Sequence, residues 1–218
     1  LWAGLLPGAV SAQRGKVVSF TKLERLTLDD VNAQIQAATG LPGGVLGTTY
    51  GVDVYEALYE TVAADGTTPI TASGLVVLPV GYPCEPAIMT YGHGLCLKHT
   101  EVPSTGGTGS YALIGKGMGS NGLVPDYIHM GAKATPGIQA FMHAASEASA
   151  TIDLVRAARN FCAQQQIELS EEVFLSGYSQ GGHSSMATAR VMQTDFPDEF
   201  NVVAAAPGGG TYDLAGIA

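Results

Sequence analysis

The pentapeptide Gly177-Tyr178-Ser179-Gln180-Gly181 has the pattern G-x-S-x-G and comes shortly after the apolar run Val173-Phe174-Leu175. The residues after it, 183–193, are rich in alanine, methionine and serine and predict a helix. A strand, this turn and a helix in that order are typical of a nucleophile elbow, which holds its serine in a strained backbone conformation. Glycine two residues before and after the serine leaves room for the turn. Although such a pattern also arises by chance in a glycine-rich chain, its flanking segments lead us to predict that Ser179 is a hydrolase nucleophile.

Two further short motifs follow predicted strands. His93-Gly94 comes directly after a predicted strand at 87–91, and glycine lets a backbone N–H approach a reacting carbonyl, so we predict an oxyanion loop there. The alternative is a plain turn at the end of a strand. Asp126-Tyr127 ends the next predicted strand, and we interpret the pair as the floor of the site or as a loop cap. Asp126 precedes Ser179, whereas the acid of this kind of triad follows the serine.

The histidines limit the choice of a catalytic base. Only one of the five histidines, His183, follows Ser179 in the chain. It lies one helical turn beyond the serine, where its ring cannot easily face the serine hydroxyl. We therefore interpret His183 as a packing or helix-capping residue.

Composition excludes several classes of function. The chain has 218 residues, of which 46% are hydrophobic, enough for one domain with a substantial core. Its net charge of −9 and the lack of a basic cluster argue against a nucleic-acid partner. No spacing of cysteine and histidine resembles a metal site, and we expect neither a metal nor a cofactor. Cys84 and Cys96 flank a predicted strand and would lie too far apart for a disulfide.

Hydrophobic periodicity predicts strands that alternate with helices over most of the chain. Such a pattern indicates an α/β fold whose mostly parallel sheet has an antiparallel amino-terminal edge and helices on both faces. The predicted strands are at 50–62, 70–78, 87–91, 123–128, 173–175 and 202–206, the last of them buried. The predicted helices are at 27–38, 111–116, 144–165 and 183–193.

The amino-terminal residues divide into two segments. Residues 1–12 resemble the end of a secretory signal peptide, with small residues before a cleavage site after Ala12, although a loose arm is the alternative. They are too short, and too interrupted by Pro7, for a transmembrane anchor. We expect residues 13–49 to form a helical arm and residues 50–218 to form the core. The expected location is secreted or periplasmic.

With these residues in view, the chain resembles the secretory-lipase family of α/β-hydrolases, the lipase A type. The matching stretches are residues 73–79, 91–94, 125–127, 147–161, 177–183 and 212–214. The resemblance implies a serine carboxylic-ester hydrolase that acts on acyl esters or lipids, with Ser179 as nucleophile. It also implies that the N–H groups of Gln180 and of the His93-Gly94 loop form the oxyanion hole. Because such enzymes place the triad Asp and His far after the serine, we expect them beyond Ala218, with the sheet incomplete and this chain inactive alone.

Two other functions stay open at this stage. A serine peptidase of the same fold would use the same elbow, but no anchor for a charged amino terminus of a substrate is visible. A binding protein could keep the fold without a working triad. The sequence does not indicate the acyl chain length, the alcohol or the oligomeric state.

Overall fold

A computed structural model describes residues 13–42, 49–105 and 121–213, together with Gly216. The predicted signal-peptide remnant at 1–12 and the predicted helix at 111–116 lie outside the described residues.

The described residues form seven strands and three helices of at least one full turn. The strands are β1 Val17–Leu26, β2 Val52–Val62, β3 Pro69–Pro79, β4 Ile88–Gly92, β5 Asn121–Pro125, β6 Glu172–Tyr178 and β7 Asn201–Gly208. The helices are α1 Leu28–Thr39, α2 Ala144–Gln164 and α3 Gln180–Asp195. The strands and helices predicted within the described residues are confirmed, with small differences at their ends.

The strands form one sheet in the order β1-β2-β3-β5-β4-β6-β7. The pairings β1–β2, β2–β3 and β3–β5 are antiparallel, and the pairings β5–β4, β4–β6 and β6–β7 are parallel. The sheet is therefore mixed, with the predicted antiparallel amino-terminal edge. Because β4 and β6 are parallel neighbours, their carboxyl ends meet, and the loop after β4 lies beside the turn after β6.

Helices cover both faces of this sheet, as predicted. Adjacent residues of a strand point to opposite faces, and in β3 Leu75 packs with Val31 of α1. Its neighbour Val76 packs with Ile152 of α2 and Met192 of α3 in the larger core cluster. Helix α1 thus covers one face, and α2 and the elbow helix α3 cover the other face.

Helix α1 lies close to the predicted bounds 27–38 and has a local capping signal at each end. Thr27 caps the helix through a capping box, since its hydroxyl accepts from the Asp30 N–H while the Asp30 carboxylate accepts from the Thr27 N–H. Gly40 ends the helix in the left-handed conformation with a φ of 73°. Both signals are local, which explains why they can be found in the sequence.

Two expectations need correction. The segment 13–49 contains strand β1 as well as α1, so it is part of the sheet rather than a purely helical arm. Two register shifts interrupt the pairing of β1 with β2, and they disturb the alternation that marks a strand. Strand β7 was predicted to be buried, but most of its residues are exposed, because it forms the edge of the sheet in the described part of the chain.

Candidate active site

Ser179 lies at the junction between β6 and α3, in the predicted strained conformation. Its φ is 58° and its ψ is −120°, a backbone region that residues other than glycine rarely adopt. The Ser179 N–H donates to the Gly208 carbonyl at the end of β7, 2.9 Å away. The residue is solvent-exposed although its neighbours Gly177 and Gln180 are buried. The turn therefore exposes Ser179 together with Tyr178, between the buried residues Gly177 and Gln180.

The glycines of the pentapeptide are required by close backbone packing. A Cβ atom on Gly177 would collide with the Gly181 carbonyl, and a Cβ atom on Gly181 would collide with the Gly92 carbonyl. Gly92 is the last residue of β4, and a Cβ atom there would lie 2.6 Å from the Gly181 Cα. The prediction that glycine leaves room for the turn is confirmed, and the space is taken up by the neighbouring strand.

The His93-Gly94 loop lies next to Ser179. A Cβ atom built on Gly94 would lie 3.9 Å from the Ser179 Cβ. The His93 ring is fully buried, and its Nδ1 lies 2.6 Å from the Gly94 carbonyl oxygen. Burial lowers the pKa of His93, and hydrogen bonds to the Gly94 and Asp126 backbone oppose that shift. This histidine is fixed within its own loop.

Tyr127 holds the His93-Gly94 loop through a hydrogen bond. Its buried hydroxyl donates to the His93 carbonyl oxygen over 3.0 Å, and the two rings lie 4.5 Å apart between centroids. Tyr127 itself has a φ of 69° and so, like Ser179, has a positive φ that is rare for residues other than glycine. Since the His93 carbonyl and the Gly94 N–H belong to one peptide group, the Tyr127 hydroxyl sets the orientation of that N–H.

Asp126 is fully buried, and its hydrogen bonds lie within the supporting structure. Its carboxylate accepts from the Ser73 hydroxyl at 2.5 Å, from the Ser104 N–H at 3.0 Å and from the Ser104 hydroxyl. Burial raises the pKa of Asp126 to about 6, and the bonds from Ser104 and Ser73 oppose that shift. Asp126 thus ties the loop after β4 to β3, and its role in the floor of the site stays a prediction.

His183 makes a contact that the sequence did not indicate. Its Nδ1 donates to the Glu147 carboxylate over 2.7 Å, so it makes a specific polar contact with α2 rather than merely packing or capping a helix. Glu147 also accepts from the Gln180 side-chain Nε2 over 2.9 Å. The sequence analysis did not single out Glu147, because its partners lie 33 and 36 residues further along the chain.

The described residues include free thiols, but no cluster of metal ligands and no helix that could span a membrane. They contain no group of three or more His, Cys, Asp or Glu side chains that could hold a metal ion. Cys84, Cys96 and Cys162 are free thiols. None of the described helices combines the length and the apolar character needed to cross a membrane.

Comparison with known proteins agrees with this arrangement. The family model described as Secretory lipase matches residues 112–218. The esterase LipA of Xanthomonas oryzae, which degrades rice cell walls, is 34% identical in sequence with a TM-score of 0.80, over 92% of this chain and 51% of LipA. A protein from Legionella pneumophila is 27% identical with a TM-score of 0.82, over 90% of this chain and 52% of that protein.

A more distant relative shows the fold alone. Candida antarctica lipase A is 18% identical with a TM-score of 0.57, over 91% of this chain and 43% of the lipase. No curated protein sequence matches the chain. The chain spans about half the length of the first two solved structures, 51% and 52%. Residues 112–218 thus match the Secretory lipase family model, and the chain shares the α/β-hydrolase fold of these lipase and esterase structures.

Proposed function

We propose that this chain carries the nucleophile and the oxyanion hole of a serine carboxylic-ester hydrolase that works through an acyl-enzyme. The observation that carries the proposal is the exposed Ser179 at a positive φ between β6 and α3. A strained, exposed serine at this junction is the geometry that a nucleophile elbow requires. The match of residues 112–218 to the Secretory lipase family model supports a hydrolase of the lipase and esterase type.

In the proposed reaction the Ser179 Oγ attacks the carbonyl carbon of an ester, and the hydroxyl proton passes to a general base. The new C–O bond forms as the carbonyl oxygen takes up negative charge. The Gln180 N–H, at the start of α3, and the Gly94 N–H, beside Ser179, donate to that oxyanion. Collapse breaks the bond to the alcohol, which leaves with the proton, and water then hydrolyses the acyl-enzyme.

The general base is the component that we assign to another part of the protein. His183 is the only histidine that follows Ser179 in this sequence. It lies one turn along α3, and its Nδ1 donates to the Glu147 carboxylate. We therefore propose that the catalytic His and its acid partner lie outside residues 1–218. Without a base the serine is a weak nucleophile. Residues 1–218 alone should accordingly show little hydrolysis of p-nitrophenyl butyrate, and robust turnover would refute this assignment.

Neutral acyl esters are the proposed substrates. Backbone N–H donors suit a planar carbonyl that becomes tetrahedral, and LipA, the relative at 34% identity, is an esterase. The described residues include no metal cluster that would bind a phosphate substrate. The family name, Secretory lipase, supports export from the cell. A comparison of p-nitrophenyl esters, from acetate to palmitate, with dipeptidyl anilides tests the class, since higher kcat/KM on the anilides would favour a peptidase.

The nucleophile is tested directly by labelling. In the protein expressed from its complete gene, a fluorophosphonate probe should label Ser179, and Ser179→Ala should lower kcat by at least about 10³-fold. Ser176→Ala is the matched control, because the Ser176 hydroxyl lies three residues earlier and donates to the Thr90 carbonyl at 3.1 Å. The control should label normally. Labelling at a different serine, or an active Ser179→Ala protein, would refute the proposal.

A further inference from the structure

Glu147 is a buried carboxylate in the first turn of α2 that contacts the elbow helix. It is 1% exposed, and three donors surround it. Its Oε1 accepts from the Met142 N–H at 3.1 Å and from the Gln180 Nε2 at 2.9 Å, and its Oε2 accepts from the His183 Nδ1 at 2.7 Å. The carboxylate therefore joins the start of α2 to the start of α3.

Burial of the Glu147 carboxylate costs free energy, because its charged form loses its contacts with water. Burial raises the pKa of Glu147, and the hydrogen bonds from His183 and Gln180 act against that rise. The helix dipole also favours a negative charge in the first turn of α2. A leucine or methionine would fill the space between the helices without the desolvation penalty. The contact is directional, so it fixes the geometry between α2 and α3 more tightly than an apolar contact would.

The two partners of Glu147 on α3 control the orientation of its first turn. Gln180 and His183 are three residues apart, and side chains at that spacing lie on one face of a helix. Two contacts on one face fix both the position and the rotation of the turn. The backbone N–H of Gln180, which is the proposed oxyanion donor, belongs to that turn. A donor must lie about 2.7–3.1 Å from the oxyanion to be effective.

We infer that Glu147 is a positioning residue of the oxyanion hole, which acts through the Gln180 and His183 side chains to hold the Gln180 N–H towards the reacting carbonyl. This inference rests on the proposed esterase function. It assigns no proton transfer to Glu147 or to His183. Because an oxyanion exists only in the transition state, a displaced donor weakens binding of the transition state and leaves substrate binding nearly unchanged.

The test compares four substitutions in the protein expressed from its complete gene. Gln180→Met keeps the backbone N–H and removes the side-chain contact, and Glu147→Met removes all three acceptor contacts. We expect each to lower kcat by about 10–100-fold with KM changed less than about threefold. The Ki of a trifluoromethyl ketone, which forms a tetrahedral oxyanion on the serine, should rise in parallel. The double variant should lose little more than the worse single variant.

Two conservative substitutions separate positioning from acid–base catalysis. Glu147→Gln keeps an oxygen for Gln180 and an amide N–H for the His183 ring, so we expect it to recover most of the activity lost in Glu147→Met. His183→Gln should lower kcat no more than Glu147→Met. A His183→Gln protein as inactive as Ser179→Ala would overturn the inference, since Glu147 and His183 would then belong to the acid–base machinery.

Asp153→Asn is the control for a purely structural effect. Asp153 is a buried carboxylate on the same helix, bonded to Arg14, Thr61 and Arg156 rather than to the elbow. It should lower the thermal unfolding temperature and leave the kcat of the folded protein unchanged. Equal kcat in Gln180→Met, Glu147→Met and wild type would overturn the inference while leaving the proposed function intact. Failure of the proposed function would instead appear as an active Ser179→Ala protein.

Discussion

Asp126 should make the stability of this protein fall as the pH rises through 6. The pKa of its carboxyl is about 6 in the folded protein, against an ordinary value of 3.8, because burial penalises the charged form. One pKa unit corresponds to about 1.4 kcal/mol, so the full linkage amounts to about 3 kcal/mol. Since the folded pKa is raised, the stabilisation is complete below pH 4 and is lost as the pH rises through about 6.

The measurement compares how the free energy of unfolding changes with pH in two proteins. Urea unfolding of the wild type and of Asp126→Asn at pH 4, 5, 6 and 7 gives two curves, and subtracting them removes the carboxylates that both proteins share. The wild type should lose about 2.4 kcal/mol relative to the variant between pH 4 and pH 7. About 1.3 kcal/mol of that loss should fall between pH 5 and pH 7. A difference that is constant with pH, or that has the opposite sign, would refute the reasoning.

A second variant tests the cause of the shift. The Ser73 hydroxyl donates to the charged carboxylate over 2.5 Å and lowers the Asp126 pKa. Ser73→Ala should therefore raise that pKa and move the loss of stability to higher pH. An unchanged midpoint would show that the hydrogen bonds do not contribute to the titration. Glu56 also raises the Asp126 pKa through its charge, so a Glu56→Gln control should move the midpoint down.

Two other predictions concern the loop and the elbow. Gly181→Ala should destabilise the protein by at least about 1–3 kcal/mol in thermal unfolding and abolish fluorophosphonate labelling, because its Cβ atom would collide with the Gly92 carbonyl. Normal labelling of this variant would contradict the packing. Tyr127→Phe removes the hydroxyl that holds the His93 carbonyl and should lower kcat by about tenfold with little change in KM. A wild-type kcat would show that the Gly94 peptide needs no such support.

The features that could be predicted from the sequence are those whose cause is local. The Thr27 and Asp30 capping box and the Gly40 cap lie within 14 residues and need no tertiary partner. The elbow is also local, since β6, the strained Ser179 and α3 follow one another without a gap. In each of these segments, neighbouring residues of one short stretch determine its backbone conformation.

The features that escaped prediction depend on residues far apart in the chain. Strand β1 is recognised only by its pairing with β2, and its two register shifts weaken its own pattern. The role of Glu147 depends on Gln180 and His183, which reach it only when α2 and α3 pack together. A glutamate in an alanine-rich helix carries no local signal that distinguishes a buried contact from an exposed one.

Gly92 shows why the two parts of the proposed oxyanion hole form one unit. A Cβ atom on Gly92 would lie 2.6 Å from the Gly181 Cα and 3.0 Å from the Tyr127 hydroxyl oxygen, so the end of β4 touches both the elbow and the support of its own loop. Any displacement of α3 therefore presses on the strand that carries His93 and Gly94. Since backbone contacts of this kind cannot be relieved by a side-chain rotation, the distance between the two proposed donors is set by main-chain packing. Glycine at position 92 belongs to the elbow as much as the glycines at 177 and 181, although it lies 85 residues before the first of them.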